Sequence, residues 1–212
     1  ETIGETLVDL DGANVRQEET NLGNLIADIM KNTSGADAAV INGGTIRTSI
    51  GKGKIRVSDI YDVLPFDNYL VAIRLTGQQI HDIIEHGVSG IEEGKGGFLQ
   101  VSGIEFTYDE SGKKGYRVKE ILIGKTPLEA DKKYTVATND FLVAGGDGFK
   151  AFGDALKSSK DYALTGGIMK GENITYCDSG RWLRDVVIDF IKSKKVISPK
   201  AEGRIHKQKK TH

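Results

Sequence analysis

Three loops of this 212-residue chain combine side chains that are suited to binding an anion or a sugar diol. Arg16 lies just before a predicted helix, residues 42–47 (Asn-Gly-Gly-Thr-Ile-Arg) follow a predicted buried strand, and residues 145–148 are Gly-Gly-Asp-Gly. The planar guanidinium group of an arginine pairs with phosphate through parallel hydrogen bonds. Glycines let a ligand approach backbone N–H groups, and a loop aspartate can accept two hydrogen bonds from a diol. These loops are therefore the candidate binding elements.

The same residues also have ordinary structural explanations. Arg16 is close to Glu18 and Glu19, so a surface ion pair is an equally good interpretation. Two glycines followed by an arginine, as before Arg47, occur in many loops. An aspartate next to a glycine, such as Asp147, is typical of an Asx turn. Spacing alone leaves both interpretations open.

Two phenylalanines near these loops, Phe66 and Phe141, raise the same question. Most phenylalanines are core residues, and this is the ordinary interpretation of both. The setting of Phe66 is unusual, however, because Pro-Phe-Asp-Asn at residues 65–68 has turn chemistry rather than strand alternation.

A mixture of helices and strands must position these loops. Apolar residues recur at helical spacing in residues 22–30, 80–84 and 183–191. Apolar runs and alternation predict strands at residues 38–41, 71–75, 99–108, 117–123 and 133–138. Because helices and strands do not alternate regularly, the sequence predicts an α+β fold in which a mixed β-sheet is packed with helices.

Several residues predict where the helices begin and end. Thr76 and Gln79 have the spacing of a capping box, and Ser58 is a candidate N-cap for a short helix that stops before Pro65. Glycine commonly follows the last turn of a helix. Gly35 and Gly87 are therefore predicted to end the first and the third helix.

Composition excludes several classes of function. The net charge of −1 lacks the basic excess of nucleic-acid-binding proteins, and no run approaches the length of a membrane-spanning helix. A single cysteine, Cys177, rules out an intrachain disulfide framework. His81 and His86 lie about 140° apart around a predicted helix and are badly placed to share a metal. No nucleophile-elbow or Walker pattern occurs, so we expect no catalytic residue, metal site or bound cofactor in this chain.

Five motifs then follow one another along nearly the whole chain. They are Arg16 with Glu-Thr-Asn-Leu-Gly-Asn at 19–24, Asn-Gly-Gly-Thr-Ile-Arg at 42–47, Leu-Pro-Phe at 64–66, Phe-Leu-Gln-Val-Ser-Gly at 98–103, and residues 139–148. In this order they closely resemble the C-terminal domain of the 5′-nucleotidase family, which includes ecto-5′-nucleotidase and bacterial UDP-sugar hydrolase. Thr45 stands where the family often has a third glycine, which leaves the spacing of Asn42, Gly44 and Arg47 unchanged.

The resemblance implies the organisation of the chain and one nucleotide pocket. Residues 16–205 would form the nucleotide-binding domain, residues 1–15 a leading segment or interdomain linker, and residues 206–212 a basic tail. The implied pocket residues are Arg16 and Arg47 at the phosphate, Asn42 and Gly44 beside them, Phe66 and Phe141 around the base, Asn68 at the base edge, and Asp147 at the ribose hydroxyls.

The resemblance also implies a larger enzyme that hydrolyses nucleoside 5′-monophosphates to nucleoside and phosphate. An N-terminal metallophosphoesterase domain would carry two divalent metals, and this chain alone is expected to be inactive. Family members work outside the cell, in the periplasm or at the cell surface. A 2′,3′-cyclic-nucleotide phosphodiesterase or a UDP-sugar hydrolase is an alternative within the family, and a stand-alone nucleotide-binding or surface module is a second alternative.

Overall fold

The computed structural model describes residues 1–165 and 168–208. The helices are α1 (Asn21–Ser34), α2 (Val57–Val63), α3 (Gly77–Val88), α4 (Asp140–Val143), α5 (Lys150–Lys157) and α6 (Leu183–Lys194). The strands are β1 (Thr2–Thr6), β2 (Ala38–Asn42), β3 (Gly53–Arg56), β4 (Tyr69–Thr76), β5 (Leu99–Ser102), β6 (Ile104–Tyr108), β7 (Val118–Ile123), β8 (Thr126–Pro127), β9 (Lys133–Asn139), β10 (Ala163–Thr165), β11 (Ile168–Lys170), β12 (Ile174–Trp182), β13 (Val196–Ile197) and β14 (Ile205–Lys207).

The central sheet has the strand order β12-β4-β9-β2-β5. β2 and β9 are parallel, while the other neighbouring pairs are antiparallel. Smaller sheets have the orders β14-β6-β7-β8, β13-β1-β3 and β10-β11. The α+β class and the mixed sheet are therefore confirmed.

Both faces of the inner strands of the central sheet are largely buried. Along β2, Ala38 and Val40 face one core, and Ala39 and Ile41 face the other, as the twofold alternation of a strand requires. Helices α3 and α5 and the strands β6 and β7 cover the first face, and α1, α2 and α6 cover the second. The inner strands β2, β4 and β9 are therefore covered over most of their length, and their ends are the parts most open to a ligand.

The capping signals confirm two of the predicted helix boundaries. Thr20 Oγ1 accepts a hydrogen bond from the third residue of α1, and α1 stops at Gly35 with a left-handed φ of 67°. At α3 the Thr76 N–H donates to Gln79 Oε1 at 2.8 Å, and the Gln79 N–H donates to Thr76 Oγ1 at 3.2 Å. The capping box therefore forms as predicted.

Two other predicted boundaries are wrong. α2 begins one residue before Ser58, and the Asp59 carboxylate accepts the Arg56 N–H at 2.7 Å in place of a serine cap. α3 continues through Gly87 to Val88. A Cβ at Gly87 would lie 3.1 Å from the Leu99 side chain, so this glycine permits close packing of the helix on β5 rather than ending the helix.

The predicted strand at residues 99–108 is divided at Gly103. This glycine has a φ of 70°, and a Cβ there would lie 2.5 Å from the Asp37 carbonyl oxygen. The chain therefore bends between β5, which belongs to the central sheet, and β6, which belongs to the outer sheet.

Both ends of the described chain pack onto the fold. Within residues 1–15, β1 pairs with β3 and β13, and Leu10 and Val15 are buried. β14 pairs in parallel with β6, so this strand crosses the boundary predicted between residues 205 and 206. Residues 209–212 of the predicted basic tail lie outside the described residues.

Thr76 and Ser58, the two predicted capping residues, allow a prediction about stability. Thr76→Ala removes the side-chain oxygen that accepts the N-terminal hydrogen bond of α3, and should lower the free energy of unfolding by about 1 kcal/mol. Ser58→Ala removes no cap and should change it by less than about 0.5 kcal/mol. Urea titrations of the two variants test the difference, and equal losses would contradict the capping geometry.

Candidate functional site

Four strands of the central sheet have one end at the same edge. β2 and β9 are parallel neighbours, so their last residues, Asn42 and Asn139, lie at the same edge. β4 and β5 run antiparallel to them and begin at this edge, where Leu70 pairs with Asn139 and Leu99 pairs with Asn42. The loops that follow β2 and β9 and those that precede β4 and β5 therefore converge.

A cavity of about 360 Å³ lies among these loops, within the size range of small-molecule sites. Its lining residues are Arg16, Asn42, Gly44, Thr45, Arg47, Phe66, Asn68, Gly96, Phe141 and Asp147. All eight residues implicated by the sequence resemblance line this one cavity, although their positions span the chain. Thr45 and Gly96 are additions that the sequence analysis did not assign to the site.

The Asn42 side chain joins three segments beneath the cavity. Asn42 Nδ2 donates to Asp147 Oδ2 at 2.8 Å, and Asn42 Oδ1 accepts from Thr45 Oγ1 at 2.6 Å and from Asn139 Nδ2 at 3.3 Å. Asn42, Thr45 and Asn139 are all buried. The threonine that departs from the family pattern therefore supplies a hydrogen bond that orients the Asn42 amide.

Asp147 is exposed and held in an unusual backbone conformation. Its φ is 53°, a left-handed value that costs a non-glycine residue about 1–2 kcal/mol. The His86 imidazole donates from Nε2 to the Asp147 carbonyl oxygen at 2.8 Å. The imidazole also packs edge-on against the Phe149 ring, with 4.6 Å between the ring centroids. No backbone N–H of the described residues donates to the Asp147 carboxylate, so an Asx turn is not what holds it. Oδ2 is bonded to Asn42, whereas Oδ1 has no hydrogen-bond partner among those residues.

The two phenylalanines are not core residues. Phe66 is 48% exposed and Phe141 is 44% exposed, and both line the cavity. A Cβ at Gly146 would lie 2.6 Å from the Phe141 ring, so this glycine makes room for the ring beside the loop. Two half-exposed aromatic rings therefore face one cavity, which the core interpretation does not explain.

The two arginines are available to a ligand. Arg16 donates from an Nη to the Gly94 carbonyl oxygen at 3.4 Å, and within residues 1–165 and 168–208 it forms no ion pair with Glu18 or Glu19. Arg47 is exposed, donates to the Gly44 carbonyl oxygen at 3.2 Å, and lies 6.0 Å from the centroid of the Phe66 ring. Neither guanidinium group is neutralised by a carboxylate of the described residues.

Gln100 holds the Arg16 loop in place. Its side chain is fully buried, Nε2 donates to the carbonyl oxygens of Val15 and Glu18 at 3.0 and 2.8 Å, and Oε1 accepts from the Thr20 N–H at 3.0 Å. Gln100 is not among the candidate site residues predicted from the sequence. The signal that could have found it is a glutamine among the apolar residues of a buried strand.

Asp140 connects the two aromatic walls. Its carboxylate accepts a hydrogen bond from the Tyr69 N–H at 3.1 Å, so the residue before Phe141 is tied to the first residue of β4, just after the Phe66 turn. Burial raises the pKa of the Asp140 carboxyl above its usual value, although the hydrogen bond from Tyr69 opposes this shift. The charged form of Asp140 is therefore less stable in the folded chain than in the unfolded chain.

This shift gives a pH-dependent prediction. Because the folded-state pKa of Asp140 is raised, the wild type loses stability as the pH rises from about 3.8 through the folded-state pKa. Asp140→Asn can still accept from Tyr69 but does not ionise, so its stability relative to the wild type should increase over this window and then level off. Urea unfolding at several pH values between about 3 and 7 measures the difference.

Asp109→Asn is a control variant whose stability relative to the wild type should change with pH in the opposite direction. A hydrogen bond from Ser111 lowers the pKa of the Asp109 carboxyl, so the wild type should gain stability over Asp109→Asn as the pH rises toward the usual carboxyl value. The same trend in both variants would contradict the burial argument for Asp140.

Metal-binding and membrane-spanning features are both missing from the described residues. Those residues contain no group of three or more His, Cys, Asp or Glu side chains arranged to hold a metal ion. No helix within residues 1–165 and 168–208 is both long enough and apolar enough to cross a membrane.

Cys177 is half-buried, and burial raises the pKa of its thiol, which disfavours the reactive thiolate.

Comparison with known proteins agrees with the geometry. Residues 2–154 match the family described as the C-terminal domain of 5′-nucleotidase. Over 97% of its length the chain is 41% identical to the trifunctional nucleotide phosphoesterase protein YfkN of Bacillus subtilis (strain 168), of which it covers 14%. It is 34% identical to the 5′-nucleotidase of Homo sapiens over 96% of its length, and covers 36% of that protein.

Solved structures show the same relationship. The 5′-nucleotidase precursor from Thermus thermophilus is 36% identical and superposes with a TM-score of 0.84, over 100% of this chain and 40% of that one. The chain therefore spans well under half the length of these relatives. Its matched residues, fold and cavity together show that it belongs to the 5′-nucleotidase family and corresponds to the C-terminal domain of that family.

Proposed function

We propose that this domain is the nucleotide-binding part of a phosphohydrolase that cleaves nucleoside 5′-monophosphates to nucleoside and phosphate. The main support is the pair of half-exposed rings, Phe66 and Phe141, that face one cavity. Single exposed apolar side chains are common on protein surfaces, but two aromatic rings that face one cavity can stack on a nucleobase of any type. The pair therefore indicates a planar heterocycle as the ligand.

The charged residues of the cavity fit the rest of a nucleotide. Arg16 and Arg47 present guanidinium groups without a carboxylate partner among the described residues, which suits a phosphate. The open Oδ1 of Asp147 can accept hydrogen bonds from ribose hydroxyls, and Asn68 offers an amide to the base edge. Gly44 lies in the cavity wall, where a Cβ would come within 3.0 Å of the Gly96 Cα, and Asn42 lies beneath it.

Hydrolysis is proposed to depend on a second domain. Nucleotidase chemistry of this kind requires a water molecule activated by metal ions, and no metal-ligand cluster lies within the described residues. We propose an N-terminal metallophosphoesterase domain with two divalent metals as the partner, and inactivity of this chain alone. The precursor named among the relatives supports an extracellular, periplasmic or cell-surface location.

A second candidate is hydrolysis of other nucleotides by the same site. The relative with 41% identity is named a trifunctional nucleotide phosphoesterase, which favours a broader range of substrates. Stacking between two aromatic rings discriminates little between bases, so 2′,3′-cyclic nucleotides or UDP-sugars would use the same pocket. A substrate panel on the enzyme with both domains separates these possibilities.

The aromatic pair is tested by calorimetric titration of the chain with AMP. Phe66→Ala and Phe141→Ala should each weaken binding by about 5- to 150-fold, which corresponds to a stacking contribution of about 1–3 kcal/mol. Tyr116→Ala is the matched control, because Tyr116 is 71% exposed and lies outside the cavity. Equal affinity in all four proteins would refute the base-binding assignment.

The phosphate assignment is tested by comparing AMP with adenosine. Arg47→Ala should weaken AMP binding by about ten- to 150-fold, the equivalent of one charge-assisted hydrogen bond, and adenosine binding by less than about threefold. Arg74→Ala removes the same charge from an exposed position outside the cavity and should change neither affinity. A parallel loss for both ligands in Arg47→Ala would show that Arg47 supports the fold of the site rather than the phosphate.

A further inference from the structure

We propose that Arg184 is a positioning residue that sets the orientation of Phe66 for base stacking without itself contacting the ligand. Arg184 is not among the residues that line the cavity, and it acts through the turn at residues 66–68. The inference rests on the proposed nucleotide-binding function and adds a specificity-determining residue to it.

The beginning of α6 is bonded to three consecutive residues of this turn. One Nη of Arg184 donates to the Phe66 carbonyl oxygen at 3.0 Å, and the other forms an ion pair with the Asp67 carboxylate. The Leu183 N–H donates to the Asn68 carbonyl oxygen at 2.7 Å. The turn therefore cannot move relative to α6 unless these contacts break.

Arg184 is itself immobilised, although it is a long and charged side chain. Only 8% of the residue is exposed, and its Cζ lies 4.7 Å from the ring centroid of Tyr61 and 5.8 Å from that of Trp182. Its Nε is buried and has no hydrogen-bond partner among the described residues. Burial of an unpaired N–H is unfavourable, so the contacts to the turn must offset that cost.

The Phe66 ring needs such support because core packing does not supply it. The ring is half exposed, and Pro65 restricts only the backbone before it. A group that must stack on a ligand binds more tightly when it is already held in the bound orientation, because less conformational entropy is lost on binding. Two bonds from Arg184 to adjacent residues of the turn hold the backbone from which the ring projects.

The competing explanation is that Arg184 only stabilises α6. The two explanations differ in which ligands should bind more weakly when Arg184 is replaced. A positioning role affects ligands that carry a base, whereas general loosening of the domain weakens AMP and ribose 5-phosphate alike. They also differ in additivity, because Arg184 has nothing to position once the Phe66 ring is removed.

The test measures binding of AMP and of ribose 5-phosphate by ligand-observed NMR to the wild type, Arg184→Ala, Phe66→Ala and the double variant. We expect Arg184→Ala to weaken AMP binding by at least about threefold but by no more than Phe66→Ala does, and to change ribose 5-phosphate binding by less than about twofold. In the Phe66→Ala background, Arg184→Ala should have no further effect on AMP.

Two further variants keep the test decisive. Arg184→Lys retains the charge but not the planar fork, so it should weaken AMP binding to an intermediate degree, and it completes the same cycle if Arg184→Ala does not fold. Arg181→Ala removes a partly exposed arginine that pairs with Asp178 and Asp189, and should change neither affinity.

The outcomes separate the inference from the function on which it rests. If Phe66→Ala weakens AMP binding but the Arg184 variants do not, or if their effects add to that of Phe66→Ala, the positioning role is overturned and the base-binding assignment stands. If Phe66→Ala itself leaves AMP binding unchanged, the base-binding assignment fails and the positioning role fails with it.

Discussion

The buried amide of Asn42 is the interaction on which the cavity depends. It accepts hydrogen bonds from Thr45 and Asn139 and donates to Asp147, so it joins the ends of two parallel strands to the loop that carries the exposed carboxylate. Because Asn42 is only 3% exposed, water cannot easily replace a lost partner, and an unpaired group there costs about 1–3 kcal/mol. Three segments that are distant in sequence are therefore fixed relative to one another before any ligand arrives.

The side chains in the walls of the cavity are oriented in a common way. Arg47, Phe66, Phe141 and Asp147, which line the cavity, are exposed, so packing does little to orient these side chains. Orientation comes instead from hydrogen bonds that end on the backbone behind each wall. Gln100 holds the loop of Arg16, His86 holds Asp147 in its left-handed conformation, and Arg184 holds the aromatic turn. Gln100, His86 and Arg184 are themselves not among the residues that line the cavity.

Which residues line the cavity could be predicted from the sequence better than how the fold brings them together. Periodicity located α1 and the capping box of α3 because these signals are local. The site residues came from the order of motifs, and they share one cavity. The convergence of four strand ends was not predictable, since it depends on pairs such as Leu70 with Asn139. Gly87 was misread because a glycine that permits close packing looks, in sequence, like one that ends a helix.

The packing around the aromatic turn has an optical consequence. Trp182 is the single tryptophan of the chain, and its ring lies beside the guanidinium group that holds the turn. Indole emission responds to the polarity of its surroundings and to nearby charge. A rearrangement of the turn that shifts this guanidinium therefore changes the fluorescence of one identified residue, and the motion of an otherwise silent loop can be followed in the unlabelled protein.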